Sequence, residues 1–325
     1  MSASINGNEI PENAGESSKA AVGVDPVTYN HSMNLTNWIF NVGYLHQDWA
    51  DVHVTFFQSG LKAHRVVLAR SPYLAHLLRN VIPGSTIHLN FVDENINQES
   101  VHIALQHLYN PSHNLINPSN ARSLLAISYL FGGMPELTHH SYETIKSSIN
   151  PQNIVDLVQW VSQSQEFPSN GFGNGVPNGN GNGNVMFGGE NGSWEGSEGR
   201  YGEWSGRLKN DIINYLLHTL PSSIPTPEIT SNPDLISIFS NLPYDLLKLV
   251  LEFKEFPFAS MQERFSYTKK IISSRKKRIN SSSASTPGPG MEESVVLAFK
   301  GSDQGMEIHI SRKPRKSRHL WKVEG

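Results

Sequence analysis

Hydrophobic and polar positions alternate along Val52, His53, Val54, Thr55 and Phe56, the period of two that turns every second side chain of a strand toward a core. Leu61 to His64 offers a short partner strand. Ser71-Pro72 predicts a helix start, because a Ser hydroxyl accepts from a free backbone N–H and Pro at the first helical position gives up no intrahelical bond. Leu74, Leu77 and Leu78 follow on one face. Ahead of the strand, Leu35, Ile39 and Val42, continued by Leu45 or His46, recur at helical spacing. Thr86 to Phe91 alternates again, with Ile87, Leu89 and Phe91 on one side. Asn97 caps a helix whose Val101, Ala104, Leu105 and Leu108 fall at i, i+3, i+4 and i+7, and Asn110-Pro111 ends it. Asn117-Pro118 opens another through Leu124, Leu125, Ile127 and Leu130 to a Gly132-Gly133 stop, and Pro135 opens the next toward Ile145.

Asn150-Pro151 begins a further helix that fades near Glu166, after which Gly and Asn dominate. Of 26 glycines, 13 lie between Gly171 and Gly206. Their spacing resembles a nucleotide loop, but no apolar strand feeds it and no strong helix follows, so it reads as a flexible insert. Trp194, Tyr201 and Trp204 near its end either form a sticky anchor or pack on a neighbour. Helical pattern returns with Leu208, Ile212, Leu216 and Leu220, then Pro233 to Phe239, then Leu246, Leu247, Val250 and Leu251. Ser260 and Glu263 form a capping box for a last helix through Ile272. Val295 to Phe299 and Met306 to Ile310 then suggest a hairpin, which needs a sheet in this chain or a partner to be stable in water.

The chain has 325 residues, no cysteine and a formal net charge of −3. That small number hides a split: residues 1–268 carry 13 Lys and Arg against 24 Asp and Glu, while residues 269–325 carry 13 against 5. The body is therefore −11 and the tail +8. The basic run Arg312, Lys313, Arg315, Lys316 and Arg318, interrupted by Pro314, is open to nuclear import, to contact with nucleic acid, or to being a solvated tail. Arg275 to Arg278 sits at an expected helix C-terminus, where cations complement the dipole. Without cysteine there are no disulfides, thiol catalysis or Cys-ligated zinc. The chain also lacks a Gly-x-Ser-x-Gly elbow, a His-Glu-x-x-His helix and a complete phosphate loop, so the expectation is a non-enzyme with no cofactor and no catalytic residues. His102 with His107 and His139 with His140 have spacings poorly suited to chelation, so no metal is expected. No segment of about eighteen uninterrupted apolar residues and no signal-peptide core occur, which argues against membrane spanning and secretion and for a nuclear and/or cytoplasmic setting.

Taken together, Asp51-Val52, Ala63-His64-Arg65, Leu68-Ala69 and Ser71-Pro72-Tyr73 resemble the BTB/POZ domain in order and spacing. The segment from Leu242 to Ile272 looks like the BACK helical module that often follows it. The resemblance implies an α+β chain: a BTB/POZ fold, a small sheet flanked by helices, followed by a mostly helical BACK-like module and disordered segments. The boundaries expected are a disordered N-terminus at 1–30, BTB/POZ at 31–150, a helix of the second module at 151–166 and the Gly/Asn-rich insert at 167–206. The BACK-like module follows at 207–280, a linker at 281–290, and a hairpin with basic tail at 291–325.

The resemblance further implies a dimerising scaffold for protein clients, with Leu35, Ile39 and Val42 at a dimer seam or, alternatively, packed on their own domain. His64, Ser71 and Tyr73 are family motif positions. Asp51 and Arg65 match an acid and a base of a charged pocket, although a buried pair that only orients the hairpin is equally consistent. Many BTB proteins are adaptors for cullin ubiquitin ligases, which would place Tyr73, Leu77, Leu78 and Ile82 toward a cullin. The family's hydrophobic-x-acid motif is missing from Val81 to Ser85, which counts against that contact. The alternative is a nuclear regulatory factor that dimerises and uses the basic tail.

Overall fold

The structure, a computed structural model, describes residues 25–111, 113–163, 199–225, 229–282, 291–299 and 306–314. Helix α1 (Pro26–Trp38) opens the fold, with the Asp25 carboxylate accepting from the Thr28 amide at 3.1 Å. It therefore begins inside the stretch read as disordered. The Asp25-Pro26 start is the same device as Ser71-Pro72, hidden in a polar context. From Ile39 to Leu45 the helix widens into a π-helix, the His46 amide bonding the Asn41 carbonyl five residues back at 3.1 Å. The wider turn changes the register, so the buried position is Gly43 and not Val42. A Cβ on Gly43 would sit 3.3 Å from the His64 ring and 3.5 Å from the Tyr109 ring.

Strands β1 (Val52–Phe56), β2 (Ser59–Ala63) and β3 (Thr86–Leu89) form a sheet in the order β2-β1-β3. Val54 stands opposite Leu61 in the antiparallel pair and Ile87 in the parallel one. The alternating residues Val52, Val54, Phe56, Ile87 and Leu89 are buried, as their pattern predicts. Helices α2 (Arg65–Leu68) and α3 (Pro72–Leu78) belong to the crossover that the parallel pair requires. The buried Ser71 hydroxyl accepts from the Leu74 amide at 3.3 Å and donates to the Phe131 carbonyl at 2.6 Å.

Helix α4 (Gln98–Tyr109) carries a reciprocal cap: Asn97 accepts from the Ser100 amide at 2.8 Å, and the Ser100 hydroxyl accepts from the Asn97 amide at 3.1 Å. Helix α5 (Ala121–Phe131) starts three residues beyond Pro118, because the Asn117 side chain accepts from the Ser119 and Asn120 amides and holds a turn. It stops at Gly132 and Gly133, with φ of 64° and 71°. A Cβ on Gly133 would collide with the Arg70 carbonyl, so this stop requires glycine. Helix α6 (Pro135–Ser147) packs back on α5.

Helix α7 (Ile154–Ser162) packs on α8 (Glu203–Asn214), which also touches α6. A π-turn over Tyr215–Thr219 leads into α9 (Leu220–Ser222), then α10 (Pro233–Asn241), α11 (Tyr244–Glu252) and α12 (Met261–Ser282). One buried core runs through the sheet and both sets of helices. The last helix is longer than expected, and two buried arginines on it terminate its neighbours. Arg264 donates to the carbonyls of Leu251 and Phe253 at the end of α11, and Arg275 to those of Ser240 and Leu242 at the end of α10. Each guanidinium thus satisfies orphan carbonyls where the helix dipole favours a cation. Arg275 serves a neighbouring helix, not the end of its own.

The hairpin is present as β4 (Met291–Phe299) and β5 (Met306–Pro314), longer than the apolar runs alone suggested. It rests on α11 and α12. Arg275 donates to both Glu293 carboxylate oxygens, at 2.7 and 3.0 Å. Ile310 donates its amide to Glu252 at 2.7 Å and accepts from the Tyr244 hydroxyl at 3.0 Å. The hairpin is held by this chain, which is how it escapes the instability of an isolated pair.

Candidate interaction surfaces

Helix α1 has no buried residue. Val27, Tyr29, Met33, Leu35 and Trp38 are exposed along it, Leu35 by 48% and Trp38 by 52%. The surface continues onto Leu45 and Trp49. Trp49 stacks on Trp38 with ring centroids 5.7 Å apart. Gln47 and Trp49 hold positive φ, which is uncommon for side chains with a Cβ. The Gln47 side chain accepts from the Lys62 amide on β2 at 3.0 Å, fastening this loop to the sheet. Ile39 and Val42 are half-buried and so belong partly to their own domain, whereas Leu35 faces outward.

His64 supports the surface from beneath. Its Nε2 lies 2.8 Å from the Asp48 carbonyl and its Nδ1 3.0 Å from the Tyr109 hydroxyl, which also accepts from the His64 amide at 2.9 Å. Nε2 donates to the Asp48 carbonyl, and in the neutral ring Tyr109 then donates to Nδ1. Burial pushes the Tyr109 hydroxyl up to about 12, so it stays a donor.

Asp51 and Arg65 do not form the charged pair expected of them. Asp51 accepts the Arg65 backbone amide at 2.8 Å, while the Arg65 guanidinium turns away to the Leu78 carbonyl at 3.0 Å. Asp51 thus caps the start of α2, and its orienting role is the one the geometry displays. Leu78 is buried among the core residues and presents nothing to a partner, another departure from the expected cullin-facing set. Tyr73 is half-buried and stacked on Phe131 at 5.7 Å, Leu77 is half-buried, and Ile82 in the following loop is 73% exposed.

Residues 199–206, read as part of the insert, are folded. Gln163 marks the last described residue before the insert, and residues 164–198 lie outside the description, Trp194 with them. Arg200 meets Asp93 at 2.9 Å, and the Tyr201 hydroxyl donates to Asp93 at 3.0 Å. Asn95 donates both its backbone and side-chain N–H groups to Asp93, donates to the Tyr201 oxygen at 2.9 Å, and accepts from the Trp160 indole at 3.0 Å. This cluster joins the loop after β3 to α7 and to the start of α8. Burial, then the Asp93 charge, raises the Tyr201 hydroxyl well above its ordinary value. Its residues are scattered along the chain, which hides the cluster from local pattern; the available signal was Arg200, the single cation between Lys146 and Arg207. Trp204 packs on Tyr142 at 5.4 Å.

His107 is buried, and its Nδ1 has no hydrogen-bond partner. Desolvation, reinforced by His113, Arg70 and His140 against the opposing pull of Glu136, lowers its pKa from 6.5 to about 4. The unfolded chain takes up a proton near 6.5 that the folded chain refuses. The resulting stability is complete above pH 6.5 and lost as pH falls toward 4. At pH 5 the loss from this group should be about 2 kcal/mol, measured as the part of the drop in urea midpoint that His107→Leu removes. An equal drop in the variant would contradict it. Among the described residues no group of His, Asp or Glu is arranged to hold a metal.

Of the basic run, Arg312 and Lys313 lie on β5, Arg312 over the Tyr244 ring at 5.5 Å, so they are not part of a free tail. Arg315, Lys316 and Arg318 lie outside the described residues. No described helix is long and apolar enough to cross a membrane.

A small sheet of order β2-β1-β3 wrapped by helices, preceded by a helix that buries no residue, has the makeup of a protein-interaction domain. Residues 40–149 match the BTB/POZ domain family, and this part of the chain is a BTB/POZ domain. Over 316 residues the chain is 24% identical to "BTB/POZ domain-containing protein 2" of Schizosaccharomyces pombe (strain 972 / ATCC 24843), covering 94% of this chain and 97% of that protein. The similarity therefore extends through the helical module and is not confined to the domain.

Proposed function

We propose that this protein is a dimerising adaptor: α1 carries self-association, and the BTB groove with the BACK-like helices presents client proteins. The observation that carries the reading is α1, a thirteen-residue helix that buries nothing within its own chain while exposing Tyr29, Met33, Leu35 and Trp38. Leu35, Trp38 and the Trp49 ring stacked on it gather on one side, and an exposed apolar cluster of this kind marks an interaction site more often than an ordinary surface. A symmetric dimer would bury it against its own copy. The face of α3 bearing Tyr73 and Leu77, together with exposed Ile82, is the surface we assign to a cullin-like partner.

Light scattering on the full chain should give twice the 36.1 kDa subunit mass, and Leu35→Glu with Trp38→Glu should halve it while leaving circular dichroism unchanged. A monomeric parent protein, or an unchanged mass in the variant, would sink the reading. Titration of the same samples with the N-terminal region of the host's BTB-binding cullin reads the second surface, and Ile82→Asp should weaken it about tenfold. Absence of cullin binding by the folded protein would leave a scaffold without a ligase.

A further inference from the structure

The groove between α10 and α12 has a character unlike the rest of the body. It is a shallow, open groove of about 490 Å³ lined by Lys269, Lys270 and Lys277, with the Ser266 and Ser274 hydroxyls beside them and Ile236 of α10 facing them. The three lysines are exposed, and among the described residues none is paired with a carboxylate. Their neighbour Lys276, which lies outside the groove, is paired with Glu292 at 2.9 Å. Three lysines within nine residues of one helix, Lys269, Lys270 and Lys277, make this a local positive site.

We propose that this groove binds a short acidic peptide segment of a partner protein. The inference rests on the reading of the protein as a scaffold and supplies the chemistry of one client. Lys269 and Lys277 are eight residues apart, about 12 Å along a helix. Carboxylates on alternate residues of an extended peptide lie about 6.8 Å apart, so three of them span a similar distance. Lysines act as point charges, tolerant of carboxylate orientation, and the serine hydroxyls add donors. Ile236 offers an apolar contact for a side chain between the acids. A long nucleic acid fits less well, since the groove has no arginine or aromatic ring for phosphate forks or base stacking.

The test is fluorescence anisotropy of a labelled octaglutamate peptide titrated with the full chain at low and high salt. The expected result is salt-sensitive binding that weakens at least tenfold when Lys269, Lys270 and Lys277 are changed to Gln. Binding should be kept in Lys276→Gln and in a variant with Arg315, Lys316 and Arg318 changed to Gln. All these positions are solvent-facing or lie outside the folded elements described, and circular dichroism verifies each variant. No binding by the parent protein, equal binding by the groove variant, or tighter binding of an octathymidylate oligonucleotide would each overturn the proposal. The titration does not depend on α1, so a negative result here is distinguishable from a failed dimer measurement.

Discussion

Replacing Arg275 with Met is expected to lower the unfolding free energy by about 3–5 kcal/mol, the range seen when one partner of a buried ion pair is removed. The side chains of Arg275 and Glu293 are each only 7% exposed. The substitution strands the Glu293 carboxylate and the carbonyls of Ser240 and Leu242 together. Urea unfolding measures the loss. Hydrogen exchange should show β4 and β5 opening before the sheet of the first domain, because Arg275 ties α10, α12 and the hairpin together at one buried point. Adding Glu293→Leu should restore part of the stability, since two apolar groups leave no buried charge. A single variant as stable as the parent would show that the pair is not closed in solution.

The second large effect is expected at Asp93. Changing it to Ala removes the acceptor for the two N–H groups of Asn95 and for the Tyr201 hydroxyl, and takes from Arg200 its shortest ion pair while Glu94 and Gln163 remain. The cost should be about 3 kcal/mol, spread over the N–H and O–H donors that lose a charged acceptor. Tyr201→Phe, which loses one hydroxyl, should cost only about 1–2 kcal/mol. Because the cluster binds the loop after β3 to α7 and α8, calorimetry of the Asp93 variant should resolve two transitions where the parent shows one. A single, undisplaced transition would mean that apolar packing alone couples the BTB domain to its helical neighbour.

Periodicity made the local elements readable. Val52 to Phe56, Val101 to Leu108 and Ser71-Pro72 each state their structure within a few residues, because period and capping chemistry are short-range properties. The π-turn at Ile39–Leu45 was not readable this way: the spacing of Leu35, Ile39 and Val42 fits an ordinary helix, and only the packing of Gly43 on His64 and Tyr109 reveals the change of register. The same limit applied to the surfaces. Asp51 and Arg65 were recognisable as motif positions, but nothing local says that the guanidinium prefers the Leu78 carbonyl. Leu78 and Leu77 look alike in sequence, and burial separates them. The Asp93 cluster draws on positions more than one hundred residues apart, so it becomes visible only when the chain is folded.

The bond from Arg200 to the Gln163 side chain, at 3.2 Å, brings the two flanks of residues 164–198 together at one point on the body. Arg200 is also the cation that meets Asp93, so the end of α7, the start of α8 and the loop after β3 are registered at that one point by bonds among the described residues.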